Sequence, residues 1–358
     1  MQDLLPFLKS LCDTPGLSGY EEPIRLRIEE AWRPLVDELS RSRLGSLHGL
    51  IRGSAPAPRP SLLLTAHMDS IGLMVSGLVE GFLRLTSIGG IDPRILPGQL
   101  VAVHGRQVLS GLVVQPPAHL LPPDLQDSSV PLEYLLVDLG LQPGQVKHLV
   151  RPGDLVSFAQ PPVELGDEIL VAPSLDNRAS VAALTACLQE LKTRRLSWDV
   201  WAVATVQEEE TLGGAKTSTF ELNPSLAVVV DVTFADSPGS PTHKTYPMGK
   251  GLTLGWGPNI HPFLYKTFKE LAGRLEIPYE TEIMPRHSGT DADSLQIVRQ
   301  GIPSMVVSIP LKYMHTPVEM VSLKDVARVG RLLAGFAAGL TPAFVDQIIW
   351  EDREGALP

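Results

Sequence analysis

Several short segments put imidazoles or carboxylates where apolar runs end. Thr65-Ala66-His67-Met68-Asp69 follows Ser61-Leu62-Leu63-Leu64. His67 can ligate a metal there. Asp69, two residues on, can accept a hydrogen bond from the imidazole or a neighbour and fix its orientation. A lone His-x-Asp also suits a structural histidine. Pro173-Ser174-Leu175-Asp176-Asn177-Arg178 precedes a helical stretch. Asp176 or Asn177 suits an N-cap, yet Asp176 at a strand-to-helix turn is also free to reach a metal with both oxygens. Val206-Gln207-Glu208-Glu209-Glu210 follows the strand-like Trp201–Thr205. Three adjacent acids repel one another unless a cation or shared proton compensates, or the loop is simply solvated. Neighbouring side chains diverge, so one Glu can bind metal while the next acts on water as a base. Asp231 closes Val228-Val229-Val230, where packing does not explain an acid. His315 follows a strand and loop in Tyr313-Met314-His315-Thr316-Pro317-Val318-Glu319 and is undecided by itself.

Together these residues make an inventory suited to two divalent ions: imidazoles, terminal carboxylates and one carboxylate to share. With two cysteines, Cys12 and Cys187, thiolate-rich zinc sites and a disulfide framework are both excluded. There is no Walker A, Rossmann or G-x-S-x-G motif. His287, Ser288 and Asp291 form a serine triad on paper, but Ser288 sits on no recognisable nucleophile elbow.

The elements that must position these residues read as α/β. Residues 3–12 and 21–37 have helical spacing, with Ser18 and Glu21 forming a capping box for the second helix. Residues 47–52 and 61–66 read as strands around the loop 55–60. From about 73 to 165, short β-rich pieces alternate with Gly and Pro, which suggests a small barrel-like domain with a Pro-rich exposed loop at 116–131. After 168, strands and helices alternate: an amphipathic helix over 179–191, strands at 198–206, 226–231 and 303–309, and helices at 262–275 and 322–340. The expected fold is a central mixed, largely parallel sheet flanked by helices, 1–72 with 166–358, interrupted by the β-rich insertion 73–165. The chain has 358 residues, enough for a sizeable core, and a net charge of −10. Its densest basic run is Lys192-Thr193-Arg194-Arg195, so nucleic-acid binding is not expected. No membrane span or secretory signal is visible, and the expectation is a soluble cytoplasmic protein.

Ala66-His67-Met68-Asp69-Ser70-Ile71-Gly72, Ser174-Leu175-Asp176-Asn177-Arg178, Val206-Gln207-Glu208-Glu209, Asp231-Val232-Thr233, Ser288-Gly289-Thr290-Asp291-Ala292 and Tyr313 to Glu319 resemble the glutamyl aminopeptidase/tetrahedral (TET) aminopeptidase family of dinuclear metallo-exopeptidases, some of which carry cellulase or endoglucanase names. The resemblance spans nearly the whole chain. It implies a zinc-exopeptidase-like fold, with His67, Asp176 and Asp231 on one ion and Asp176, Glu209 and His315 on the other. It also implies Glu208 as general base, Asp69 orienting His67, and a cis peptide between Asp176 and Asn177. The family pattern after the Glu pair is closer to Val-Gly-Leu-Arg-Gly, whereas this chain has Glu210-Thr211-Leu212-Gly213-Gly214.

The activity so implied is removal of N-terminal residues from peptides with free N-termini, by water bridging two divalent ions, zinc foremost, with cobalt or manganese as alternatives. The resemblance also implies a homo-oligomer built from dimers joined through the insertion, up to a tetrahedral dodecamer. The competing readings are a metal-dependent deacylase or carboxypeptidase, a cellulase, and an inactive metal-binding assembly protein.

Overall fold

Leu62, Leu63 and Leu64 are all essentially inaccessible, as are Val228–Val230 and Met305–Val307. Consecutive buried residues on a strand require cover on both faces, so these strands belong to the middle of a sandwiched sheet. The computed structural model describes residues 4–126, 128–166 and 168–348. In it, Asp199–Thr205, Ser61–His67, Leu226–Phe234 and Ser304–Lys312 lie side by side in that order, all parallel. Antiparallel strands extend both edges. Leu47–Ile51 and Glu38–Arg41 lie on one side, and Glu319–Ser322, Ile169–Ala172 and Val163–Leu165 on the other. With Leu252–Trp256 and Tyr279–Ile283 branching from Ser304–Lys312, the mixed sheet has 11 strands.

Three elements differ from their sequence reading. The helix expected over 21–37 spans Glu22–Trp32. Pro34 lacks the N–H that the next turn needs, and its ring crowds the carbonyl four residues back. The capping box does not form: Glu21 is the N-cap residue and makes no side-chain cap. Its carboxylate accepts the N–H of Gly19 at 2.6 Å and of Gln207 at 3.0 Å instead. The helix read as amphipathic follows a kink at Asp176 and Asn177, whose backbone is not helical, and only Ala186, Gln189 and Glu190 escape burial over Leu175–Leu191. It runs between the sheet and the helices Leu4–Cys12 and Leu323–Gly339. Small side chains permit that crowding: a Cβ at Gly330 would come within 2.8 Å of the Ala183 carbonyl oxygen.

Between the first and second parts of the sheet the chain closes a barrel. Its strand order is Gly72–Val79, Phe82–Ile88, Leu136–Asp138, Val108–Val114, Leu100–His104, Leu155–Phe158. Leu73, Val75, Leu83, Leu85, Val101, Val103, Val113, Val137 and Val156 fill it, with Val146 of the helix Pro143–Leu149. Each such side chain contributes about 1.5–3 kcal/mol by leaving water. Val163–Leu165, inside the expected insertion, pairs with Ile169–Ala172 in the large sheet. The Pro-rich stretch makes short 3-10 turns at Ala118–Leu120 and Pro123–Leu125. Asp3, Asp127 and the end of the second α/β segment, 349–358, lie outside the described residues. Cys12 and Cys187 are free and buried.

Candidate metal centre

The residues singled out by type converge where the parallel strands end. His67 is the last residue of Ser61–His67 and sits opposite Thr205. Glu208 and Glu209 follow Thr205 after one tight bend. Asp176 stands at the start of Leu175–Leu191, at a cis peptide with Asn177. Asp231 does not end its strand, as the sequence suggests. Pairing with Ser304–Lys312 carries that strand on to Phe234, while its other neighbour stops pairing at Val229 and Thr65. Asp231 is therefore level with His67, the last residue of Ser61–His67, and beside it. His315 comes from the loop after Ser304–Lys312. Ser174, Gln207, Tyr313 and His315 all adopt left-handed backbone, with φ of 64, 59, 59 and 62°. Such conformations cost ~1–3 kcal/mol each and persist where surroundings enforce them.

Asp176 divides its two oxygens between the two histidines. Oδ1 lies 3.2 Å from His67 Nε2, and Oδ2 lies 3.4 Å from His315 Nε2. His315 Nε2 is also 3.4 Å from Glu209 Oε2. His67 Nε2 is 3.8 Å from both Asp231 Oδ1 and Glu208 Oε2. Donor atoms of His67, Asp176 and Glu209, and those of His67, Glu208 and Asp231, lie within 4.8 Å of one another. By distance alone Glu208 and Asp231 are equal neighbours of His67. Both triads thus point to the same place without dividing its ligands.

Burial opposes charge throughout. It raises Glu208 to about 9, with Asp231, Asp291 and Asp176 adding to the rise. Glu209 and Asp231 are likewise pushed well above the carboxylate range, first by burial and then by Asp176. Burial would raise Asp176 too, but His315 and His67 hold it below its ordinary value. His315 is raised to about 9 by Asp176, against its burial. At His67 burial is outweighed by Glu208, Asp176, Asp69 and Asp231. Among the described residues no Lys or Arg pairs with Asp69, Asp176, Glu208, Glu209 or Asp231. The cluster is short of positive charge.

The donor set fits divalent cations. Asp176 Oδ1 and Glu209 Oε1 are buried without a hydrogen-bond partner. Leaving such atoms unmet costs about 1–3 kcal/mol or more. Ligands held at about 2.0–2.1 Å in a tetrahedron stand about 3.3–3.4 Å apart, the spacing seen between Asp176, Glu209 and the two histidines. Imidazole and carboxylate donors suit zinc, cobalt and manganese alike.

Asp69 stands beside His67 and also bonds neighbouring backbone. Its backbone oxygen faces His67 Nδ1 at 3.2 Å, while its carboxylate stands 3.6 Å from that nitrogen. The carboxylate accepts the backbone N–H of Glu208 at 3.0 Å and of Glu209 at 3.2 Å. Sequence reasoning missed two partners of the same kind. Glu319 accepts the N–H of Asp176 at 2.9 Å and of His315 at 2.8 Å, tying two loops together. Glu21 holds Gln207, the residue before the Glu pair. The signal for Glu319 was an acid heading the apolar strand Glu319–Ser322, where it is 2% exposed. Nothing marked Glu21 apart from a capping box. The paper triad is absent: Ser288 Oγ bonds Asp293 at 2.9 Å, and His287 is exposed.

With its family and relatives, the fold and site identify a metal-dependent aminopeptidase, a hydrolase. The chain is similar over 97% of its length to a TET aminopeptidase from a marine sediment Thaumarchaeota archaeon, covering 99% of that chain with a TM-score of 0.91 at 28% identity. It is similar to the Pyrococcus horikoshii TET1 peptidase, described as assembling into a tetrahedron or a large octahedral shell (TM-score 0.82, 28% identity, 94% of this chain and 100% of that one). It is 33% identical over 345 residues to lysyl aminopeptidase of Pyrococcus furiosus, 94% of this chain and 97% of that protein. The chain belongs to the M42 glutamyl aminopeptidase family, which matches residues 45–332.

Proposed function

We propose that this chain removes N-terminal residues from peptides with a dinuclear centre in which His67, Asp176 and Asp231 hold one divalent ion and Asp176, Glu209 and His315 the other. The observation that carries the proposal is the split of the Asp176 oxygens, one toward His67 at 3.2 Å and one toward His315 at 3.4 Å. Two ions bound there supply Lewis acidity toward the scissile carbonyl and a water acidic enough to attack it near neutral pH. Glu208 is the general base. It accepts the proton from water and returns it to the leaving amine. Asp69 holds Glu208 and Glu209 by their backbone, so the base and the neighbouring ligand keep a fixed separation. The remaining acids favour a substrate with a free, positively charged α-amine.

The centre takes zinc, cobalt or manganese, which the same donors accept. The chain works as a homo-oligomer in the cytoplasm. Its dimers join through the barrel insertion 73–165, set between the catalytic segments 1–72 and 166–358, and build a tetrahedral dodecamer. The test is hydrolysis of matched peptides with free and acetylated N-termini. Release of the first residue from the free set alone supports the proposal. Cleavage of only the acetylated set moves the reading to a deacylase and overturns it.

A further inference from the structure

Glu210, the third acid of the run, has no part in the dinuclear assignment, and its side chain is exposed. Its Oε1 accepts the N–H of Gly89 at 2.6 Å, across 121 residues of sequence. Gly89 and Gly90 form the turn that leaves the barrel strand Phe82–Ile88. The carbonyl of the next residue, Gly90, faces His315 Nδ1 at 2.8 Å, across 225 residues. A carbonyl only accepts, so Nδ1 carries a proton. Nε2 is then the ring nitrogen that ligates, and it is the one 3.4 Å from Asp176 Oδ2 and Glu209 Oε2. The space calls for glycine at 89 and is tight at 90. Gly89 has φ +73°, and a Cβ there would meet Ile71 Cγ2 at 2.6 Å; a Cβ at Gly90 would come within 3.2 Å of His315 Nδ1. The turn is thus held from two sides, by Glu210 and by the ring it orients.

We infer that Glu210 is a positioning residue: by pinning the Gly89–Gly90 turn of the barrel it fixes the tautomer and direction of His315, and so sets the affinity of the His315-side ion. The inference rests on the proposed dinuclear centre. It makes the barrel part of that centre as well as a neighbour of it. It also gives a task to the residue at which this chain departs from the family pattern.

The test is cobalt(II) titration of the chelator-stripped, full-length chain, followed by calorimetry and by the visible absorption of bound cobalt. Glu210→Ala is expected to bind one of the two cobalt ions about tenfold less tightly, within the range of losses on removing a ligand's outer partner, with an altered spectrum and the other ion within about twofold. Glu210→Gln keeps an oxygen for the Gly89 N–H and is expected to restore both affinity and spectrum. Unchanged affinity and spectrum in Glu210→Ala overturn the inference and leave the proposed function standing. A Glu210→Gln variant as impaired as Glu210→Ala also overturns it, because charge and not the hydrogen bond would then be acting. An unaltered chain that binds no cobalt overturns the proposed function and this inference with it.

Discussion

The two halves of the cluster are built on different principles. His67 is 2% exposed and ends a strand whose neighbours on both sides are parallel. Its position follows from the sheet. His315 is 34% exposed and sits at φ 62° on a loop, held by Glu319 from below and by the barrel's Gly90 from the side. Its position follows from contacts made by distant segments. Yet both halves use one device. A buried carboxylate accepts backbone N–H groups of the ligand-bearing loop, Asp69 for Glu208 and Glu209, Glu319 for Asp176 and His315. Charge-assisted bonds of that kind are about twice as strong as neutral ones and hold a loop without adding cation charge near the ions. One half is therefore rigid because of the sheet, and the other only while several pieces meet.

The largest effect expected falls on the rigid half. Glu208→Gln should lower turnover by about 10²–10⁴-fold while the chain still binds its metal, as measured by kinetics alongside metal analysis. Retained turnover with metal bound would remove Glu208 from the role of base. Next comes the loop half. Glu319→Gln leaves one of the two backbone N–H groups facing an amide nitrogen. It should weaken metal binding about 10–100-fold, read by metal titration of the chelator-stripped chain. Unchanged metal binding would show that Glu319 does not hold Asp176 and His315 in place for the ions.

The smallest effect is one of pH. Burial first, then Asp69, raises Glu21 from 4.5 to about 7. Its folded state therefore binds more protons than its unfolded state between those values. The sign follows: this contribution to stability is fully present below about 4.5 and is lost as pH rises through 7. In Glu21→Gln that slope disappears. The chelator-stripped wild type should thus lose up to about 3 kcal/mol relative to the variant from pH 4.5 to 8, read from urea midpoints. A constant difference between the two across that range would show that Glu21 does not titrate there.

How much of this was legible in the sequence follows the same division. His67, Asp176, Glu208, Glu209 and Asp231 stand out because an ionisable side chain at the end of an apolar run is costly to bury without a purpose. The sheet strands themselves read cleanly, since their apolar runs are short and bounded by turn residues. Where the second helix stops was also written in the chain, at Pro34, but periodicity beyond it misled. The continuation of Leu226–Phe234 past Asp231 was not legible, because it depends on which neighbouring strand goes on pairing. Nor were the roles of Glu21, Glu319 and the Gly89–Gly90 turn. Each depends on a contact between distant segments, Glu21 with Gln207 across 186 residues, Glu319 with Asp176 across 143, Gly89 with Glu210 across 121 and Gly90 with His315 across 225, and no local pattern encodes such a contact. Sequence spacing shows which residues can do chemistry. The fold decides which of the others hold them still.

The central claim is a peptidase centre of two ions shared through Asp176. The most direct test is to titrate zinc into the chelator-stripped chain while following release of the first residue from a peptide with a free N-terminus. No release is expected without metal, and release should rise with added zinc and level off at two equivalents per chain. Full activity in the stripped chain, or a plateau at a single equivalent, would contradict it.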